Sequence, residues 1–347
     1  METQDYASLR LRTDVIDRGL CPLCGGCTSG CPYIGEHNGR VILLDCCPLA
    51  EGSCYRNCPR TLTDLDELSD SVFSEPFSSD DLGIVRGAYL TRATDVDLSA
   101  TDGGTTVALL CAALKEGLIE AVPCTGLSGD ERTKLAARNL AAVPSSANAP
   151  VPVVLTTDTE VRDHVAQPYH TSRVLAAFNS IPKENQMHLG MACLPCQVAS
   201  MRKRLSHPAD SRADARNVRL LIGESCAAKR WLEPGEDRQS ANKACSYCWD
   251  LTGELADISV GSGRGAQGWN IVFVRTSDGQ AAFDAAMNSG AIESKPLPTE
   301  SLEKEKKASR DKKRRAVKNL ASLSGSRDDL MYLRPSSEIV KALEGSA

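Results

Sequence analysis

The amino-acid sequence predicts an α/β protein with a cysteine-rich N-terminal module and a basic C-terminal helix. Three observations lead there. Eight of the fifteen cysteines fall between Cys21 and Cys58. Further along, β-prone runs alternate with amphipathic helical ones, the order that builds an α/β core. The run Ser301–Leu320, containing EKEKKASRDKKRRAVKNL, is strongly basic and helix-prone. A chain of 347 residues suits about two domains. The expected divisions are 1–62 for the module, 63–100 for a linker or strap, 101–300 for the core and 301–347 for the basic helix and tail.

Composition excludes several classes. A formal net charge of −5 argues against a general nucleic-acid binder. No apolar run reaches the roughly 18 residues of a membrane span, so no transmembrane segment is expected. The opening METQDYASLRLRTDV lacks the apolar stretch of a signal peptide. A cytoplasmic chain is therefore expected, and disulfides are rare in that compartment. Fifteen cysteines then need another use, of which ligation of a metal or cluster is the leading one.

The module opens with C-P-L-C-G-G-C-T-S-G-C-P, that is Cys21, Cys24, Cys27, Cys31 and Pro32. This is the bacterial ferredoxin spacing, whose fourth cysteine ligates the other cluster of a pair. A zinc ribbon would use two separated C-x-x-C pairs instead. Cys54-Tyr-Arg-Asn-Cys58-Pro59 repeats the Cys-Pro ending. By ferredoxin logic Cys58 completes a first cluster with Cys21, Cys24 and Cys27. A second cluster draws on Cys31, Cys54 and Cys47, with or without Cys46. Adjacent side chains on an extended backbone point to opposite sides. Either a turn at Pro48 brings both of the pair to one cluster, or one of them is a buried free thiol.

Thr61–Asp97 is acidic and serine-rich. Within it Asp64–Pro76 reads as a linker or docking strap, a solvated loop rather than a specific acidic motif. Asp102-Gly103-Gly104 precedes an amphipathic helix, Thr105–Glu116, with Asp102 as N-cap and Gly117 at C′. Two glycines at a helix start admit a flat ring or a phosphate to the backbone, though the sequence alone slightly favours a plain capped helix. Leu118–Cys124 and Val151–Thr156 read as strands, with Cys111 and Cys124 as core thiols. His164 and His170 read as core or solvent residues rather than ligands.

Met187–Ala192 reads as a strand ending in Cys193-Leu-Pro-Cys196-Gln197, followed by a helix with Arg202, Lys203 and Arg204. That C-x-x-C suits a redox dithiol or the gift of one thiolate to a cluster. Leu220–Glu224 is a further strand, ending at Cys226. In a parallel sheet Cys196 and Cys226 would share one edge. Cys245 and Cys248 follow closely, and four thiolates from three loops can complete one 4Fe–4S site. The competing account is a Cys193/Cys196 dithiol, a buried Cys226 and a small zinc site at Cys245 and Cys248. A β-prone run, Ala256–Val260, empties into Gly261-Ser262-Gly263-Arg264-Gly265, and Trp269–Arg275 leaves it. A glycine-rich turn after a strand can cradle phosphate, although such turns are more often plain turns. Ala281–Asn288 reads as a helix. The basic run after it reads as a solvated surface helix, or as a docking arm for an acidic partner.

With these residues in place, the chain resembles the coenzyme F-420 hydrogenase/dehydrogenase family of beta subunits. The likeness covers nearly the whole chain. It rests on the ferredoxin motif, the Gly103-Gly104-x-Thr106 helix start, Pro195-Cys196-Gln197 and the Gly223-to-Cys226 loop. Its most telling part is Cys245-x-x-Cys248 with Glu254–Ser262 and Gly268-Trp269. Members of that family are iron–sulfur flavoproteins that bind FAD. Many exchange hydride with the deazaflavin coenzyme F-420, as electron-input or electron-output subunits of hydrogenases, formate dehydrogenases and related complexes. The resemblance implies Cys196, Cys226, Cys245 and Cys248 as ligands of a core 4Fe–4S cluster, for three clusters in all. It implies FAD against Gly103, Gly104, Thr106, Gly261, Ser262 and Gly263, and no catalytic side chain. It implies a larger catalytic redox subunit as partner, with ferredoxin as a further candidate. Two departures bear on the deazaflavin: a short span between Cys226 and Cys245, and Ala166-Gln-Pro-Tyr169 where relatives carry Gly-Ser-x-Tyr. The fold expected is thus a flavin-binding α/β (α+β) core with a ferredoxin-like two-cluster module. The function expected is hydride exchange with coenzyme F-420 and single-electron delivery to a partner enzyme. The alternatives are a relay subunit without its own deazaflavin site, and a ferredoxin-linked reductase of an organic substrate.

Overall fold

The computed structural model describes residues 6–28, 30–37, 40–78, 80–99, 103–127, 150–165, 174–207, 213–228, 230–232 and 239–345. Asp102, Ala166–Tyr169 and His170 lie outside the described residues. A helix, Ala7–Leu11, opens the module and runs on through the π turn Arg12–Ile16. The cysteine loops surround an antiparallel hairpin of β1 (Ile34–His37) and β2 (Arg40–Leu43). A short β3 (Thr63–Asp64) follows.

The span 63–100 is not the linker expected. Asp64 accepts hydrogen bonds from the Asp66 and Glu67 amides and so caps a helix, Leu65–Phe73. Leu65 and Leu68 sit one turn apart and are buried, an apolar pair hidden among acidic neighbours. Then β4 (Gly87–Ala93) enters the middle of the main sheet.

Next come β5 (Val122–Leu127) and β6 (Pro150–Leu155), which form their own antiparallel pair. The main sheet is completed by β7 (Leu189–Cys193) and β8 (Val218–Glu224). After a small ribbon of β9 (Arg230–Leu232) and β10 (Gln239–Ala241) come β11 (Ile258–Ser262), β12 (Asn270–Val274) and β13 (Ile292–Pro296). A last short strand, β14 (Leu333–Arg334), pairs in parallel with β3. The six strands of the main sheet run in the order β13-β4-β12-β11-β8-β7. On one side β7, β8 and β11 are parallel, whereas β12, β4 and β13 are antiparallel to their neighbours. The sheet is therefore half parallel, a division that short-range sequence does not reveal.

Helices cover both faces. The helix Thr105–Lys115 is apolar all round, with Val107–Ala113 buried, and it packs with the helix Ser277–Asn288 over Leu220, Ile258 and Val272. On the opposite side lies the helix Pro195–Ser206. Its Val198 and Met201 share one apolar cluster with Leu11, Val15 and Leu20 of the module. A polar stripe on the same helix completes the join. Gln197 donates to the Cys24 carbonyl (3.2 Å), Ser200 to Asn57 (2.9 Å) and Lys203 to Cys58 (2.9 Å), while Arg204 reaches the Gly26 carbonyl. Spacings of three and four put these side chains on one helical face.

The basic helix spans Thr299–Ser324, and one face of it is not solvated. Glu305, Ser309, Lys312, Lys313, Ala316 and Leu320 are buried. The Lys313 ammonium lies 3.0 Å from Glu254 Oε2 and 2.9 Å from the Asp81 carbonyl, near the Trp249 ring. Arg275 donates to Ser259, Thr252 and the Leu82 and Ile84 carbonyls. Buried charge persists only where such partners meet it. No helix among the described residues is long and apolar enough to cross a membrane.

Glu254 generates a pH prediction. Burial pushes its carboxyl up to about 7 from 4.5, against the pull of Lys313. The folded chain keeps a proton that the unfolded chain has released. Stability from this group is thus full below about pH 4.5 and is lost as pH rises to about 7. In urea melts across that window, Glu254→Gln should lack this decline. An identical pH slope in both proteins would refute the assignment.

Candidate functional site

The parallel half of the sheet builds one edge. Cys193 on β7 pairs with Gly223 on β8, and Glu224 on β8 pairs with Val260 on β11. Parallel strands in register send their following loops out at the same end. Three segments continue the strands there: the helix start Pro195-Cys196, the loop Ser225-Cys226, and the end of β11 at Gly261-Ser262 with Gly263 after it. Main-chain bonds fold a fourth segment onto them. The Cys226 amide donates to Leu251 O (2.8 Å), and Cys248 Sγ lies 3.6 Å from Asp250 O. Lys312 Nζ clamps the carbonyls of Cys226 and Asp250 together. Cys245 sits in the 3₁₀ turn Lys243–Tyr247, capped by the Asn242 side chain.

Cys196 and Cys248 line a cavity of about 50 Å³ together with Arg60, Trp249 and Tyr332. Arg60 comes from the module, two residues beyond Cys58. It is buried, lies over the Tyr332 ring at 4.8 Å, and donates to Tyr247 O (3.4 Å) and the Tyr332 hydroxyl. Burial works against its charge, but Cys248, Cys196 and Cys245 facing it outweigh that and raise its pKa. Burial likewise opposes ionisation of Cys248, yet Arg60 and Lys312 bring it below the usual thiol value.

In the module, burial raises the Cys27 thiol, and Cys21, Cys24, Cys58 and Cys54 add to the effect. Burial and Cys24 push Cys58 up to about 12. Burial and Cys31, with Cys47, push Cys54 up to about 11. Cys21, Cys24, Cys27 and Cys58 are thus neighbours, as are Cys31, Cys47 and Cys54, and Cys27 and Cys54 connect the two groups. Cys27, Cys31 and Cys54 line one small cleft with Asn179 and Arg204. Cys47 is buried and Cys46 exposed, so the adjacent pair divides. Cys193 is buried in β7, where burial and Glu224 raise its thiol, and its charged neighbours are Glu224 and Arg202.

Among the described residues, no three His, Cys, Asp or Glu side chains are arranged to hold a single metal ion. Cubane clusters instead spread thiolates around an inorganic core. Neighbouring cysteines, those at the edge facing the buried cations Arg60 and Lys312, suit that donor chemistry.

The two glycine segments converge on Asn270, a residue that no sequence motif singles out. Asn270 Oδ1 accepts from the Thr105 amide (3.3 Å), and Nδ2 donates to Gly261 O (3.2 Å). The Thr106 hydroxyl bonds Glu224, whose carboxyl burial raises. Ser262 pairs with Asn270 at the mouth of the β11–β12 hairpin. The glycines themselves answer to the chain's own packing. A Cβ on Gly103 would overlap Asn270, one on Gly104 would lie 2.6 Å from the Leu98 carbonyl, and one on Gly263 would overlap the Trp269 carbonyl. Gly103 and Gly104 also hold φ of +84° and +62°, a left-handed backbone that suits glycine. Gly104→Val would therefore disturb the fold before it touched any ligand. Of the histidines, His164 is buried with Nδ1 2.9 Å from Glu160 O.

Comparison with known proteins starts from the fold. The chain superposes on a chain of the F420-reducing NiFe hydrogenase complex from Methanosarcina barkeri with a TM-score of 0.55, at 23% identity over 70% of this chain and 94% of that one. The family model for the N-terminal part of the coenzyme F420 hydrogenase/dehydrogenase beta subunit matches residues 88–179, and that for its C-terminal part matches residues 228–300. The chain belongs to this family. It is similar to the coenzyme F420 hydrogenase subunit beta of Methanothermobacter thermautotrophicus, 27% identical over 285 residues, 70% of this chain and 96% of the relative. It is also similar to a subunit of the F(420)H(2) dehydrogenase of Methanosarcina mazei, 23% identical over 326 residues, 82% and 87% of the two chains. The glycine segments, Cys245 and Cys248 lie inside the matched spans. Arg60, Cys196, Cys226 and the module lie outside them.

Asn270→Leu should remove two buried hydrogen bonds and lower stability by about 1–3 kcal/mol, read from the urea midpoint. A loss under about 0.5 kcal/mol would mean that Asn270 does not hold the two segments together.

Proposed function

We propose that this chain is an iron–sulfur flavoprotein electron-transfer subunit. It exchanges hydride between coenzyme F-420 and FAD and passes single electrons through 4Fe–4S clusters to a larger redox partner. The support for this reading is that Cys196 and Cys248 line one cavity with Arg60, that Lys312 ties the Cys226 carbonyl to that of Asp250, and that Gly261 and Asn270 join at the same sheet edge. The relatives' names, subunits of F420 hydrogenase and F420H2 dehydrogenase, support the same class of reaction.

In this reading Cys196, Cys226, Cys245 and Cys248 hold the core cluster. Cys21, Cys24, Cys27 and Cys58 hold a second, and Cys31, Cys47 and Cys54 contribute to a third. FAD lies against Gly103, Gly104, Thr106, Gly261, Ser262 and Gly263. When bound, a flavin accepts a pair of electrons as hydride and hands them on singly to clusters, which carry one each. The protein's own work is positional. Arg60 and Lys312 offset the charge of the core thiolates. Asn270 fixes the helix start against the hairpin. Glu224, buried beside Thr106, keeps its carboxyl proton above the usual carboxylate range. The partners are a catalytic redox subunit, the deazaflavin and, in some settings, a ferredoxin.

A second reading, a relay subunit without its own deazaflavin site, is favoured by one observation. The span between Cys226 and Cys245 is short, which leaves little chain to build a second pocket beside a flavin.

Anaerobically reconstituted full-length chain decides between them. The leading reading expects about twelve irons and about one FAD per chain, and loss of about four irons in Cys245→Ser/Cys248→Ser. Reduced deazaflavin should bleach the bound flavin. A flavin that stays oxidised under that reductant leaves the relay reading standing. Iron content unmoved by the double substitution would remove the core cluster.

A further inference from the structure

We propose that Arg60 is a positioning residue that couples the two halves of the chain: carried by the module beside Cys58, it faces the core thiols and sets the reduction potential of a cluster bound there. The inference rests on the core-cluster reading above.

Four observations carry it. The first is burial without a carboxylate. Arg60 is 5% exposed, and its Nε is buried with no hydrogen-bond partner. Tyr247 O and the Tyr332 hydroxyl, which accept from its Nη1, are neutral. Among the described residues it forms no ion pair with a carboxylate: of the two acids that line the same cavity, Glu254 is paired with Lys313, and the charges that act on Arg60 most are those of Cys248, Cys196 and Cys245. A guanidinium so buried is unfavourable unless negative charge stands nearby. The second observation supplies that charge: Arg60 shares a cavity wall with Cys196 and Cys248.

The third is covalent proximity. Only Pro59 separates Arg60 from Cys58, which belongs to the other thiol set. A short piece of chain therefore has a ligand of one site at one end and a counter-charge of another site at the other. The fourth is reciprocity. The helix that begins at Pro195-Cys196 sends Lys203 to the Cys58, Leu62 and Thr61 carbonyls and Arg204 to Gly26 O. Each half thus lends a buried cation to the other half's thiols.

The sign follows from electrostatics. Gaining an electron makes a thiolate-ligated cluster more negative. A fixed cation at short range in a poorly solvated site stabilises that reduced form and raises the potential. Lys312 acts on the same site through main-chain carbonyls and comes from the C-terminal helix, whereas Arg60 belongs to the module. The thiols that Arg60 faces are Cys248, Cys196 and Cys245, so its removal should move most the cluster that they hold.

The test is a potentiometric titration of the anaerobically reconstituted full chain, followed by EPR, with iron and sulfide assayed alongside. Arg60→Gln should shift the midpoint of one cluster most, to more negative potential, that cluster being the one lost in Cys245→Ser/Cys248→Ser. Arg60→Lys keeps the charge but shortens the reach and loses the fork, so its shift should have the same sign and be smaller. Should Arg60→Gln not yield folded chain, Arg60→Lys decides alone by the same sign. An unmoved midpoint with iron fully retained overturns the proposal. So does an equal shift of all three clusters, or loss of iron without any shift in what remains, since each indicates a packing role. Absence from the unsubstituted chain of any cluster that Cys245→Ser/Cys248→Ser removes defeats the underlying cluster reading instead.

Discussion

Burying charge in a protein interior is expensive, and this chain does it repeatedly in one region. Arg60, Lys203, Arg204, Arg275, Lys312 and Lys313 are all buried. Each is held by carbonyls, hydroxyls, thiols or a carboxylate, and most of the partners lie far away in sequence. A cation in such a place tolerates no slack, because moving away would leave it unsolvated and unpaired. Three parts that sequence separates are tied together this way: the N-terminal module, the parallel edge of the sheet and the C-terminal helix. At the edge, Arg60 and Lys312 hold the main chain at Tyr247, Cys226 and Asp250, next to Cys248.

The cysteine pattern of the module is legible in the sequence because spacing is local. The loops of Cys24, Gly26 and Cys58 nevertheless lean on Gln197, Lys203 and Arg204 of a distant helix, which no local pattern announces. Most of the core strands read from the sequence are legible because their pattern is local too, with limits that shift by a residue or two, although the strand expected at Leu118–Cys124 lies at Val122–Leu127. Leu189–Cys193 stands where the β-prone pattern marks Met187–Ala192, and Ile258–Ser262 where it marks Ala256–Val260. What escapes is non-local. Nothing near Gly87–Ala93 announces that it lies between β12 and β13, and the acids around Leu65 and Leu68 disguise a short amphipathic helix as a strap.

Charged residues are the least legible. A run such as Lys312-Lys313-Arg314-Arg315 looks uniformly solvent-seeking, but helical geometry turns its members to different sides. Lys312 and Lys313 go inward because the Glu254 carboxylate and the backbone carbonyls of Asp81, Cys226 and Asp250 wait there. Arg60 and Asn270 give weaker signals: one is a cation directly after a Cys-Pro, the other the single polar residue in an apolar strand. The glycines carry a different lesson. Sequence reveals that Gly103 and Gly104 permit unusual backbone, and only coordinates reveal that Asn270 and Leu98 already occupy the space a side chain would need.

The apolar cluster that joins Leu11, Val15 and Leu20 to Met191, Val198 and Met201 bears on how such chains can be rearranged over time. The module is not a cassette that recombination can clip on or remove unchanged. A gene that lost it would leave a greasy, cation-studded helix face open to water. A gene that acquired it would need Gln197, Ser200 and Lys203, or substitutes for them, already in place. Gain or loss of this segment therefore demands matched substitutions on the Pro195–Ser206 helix, and that helix face is where the history of such an exchange would be written.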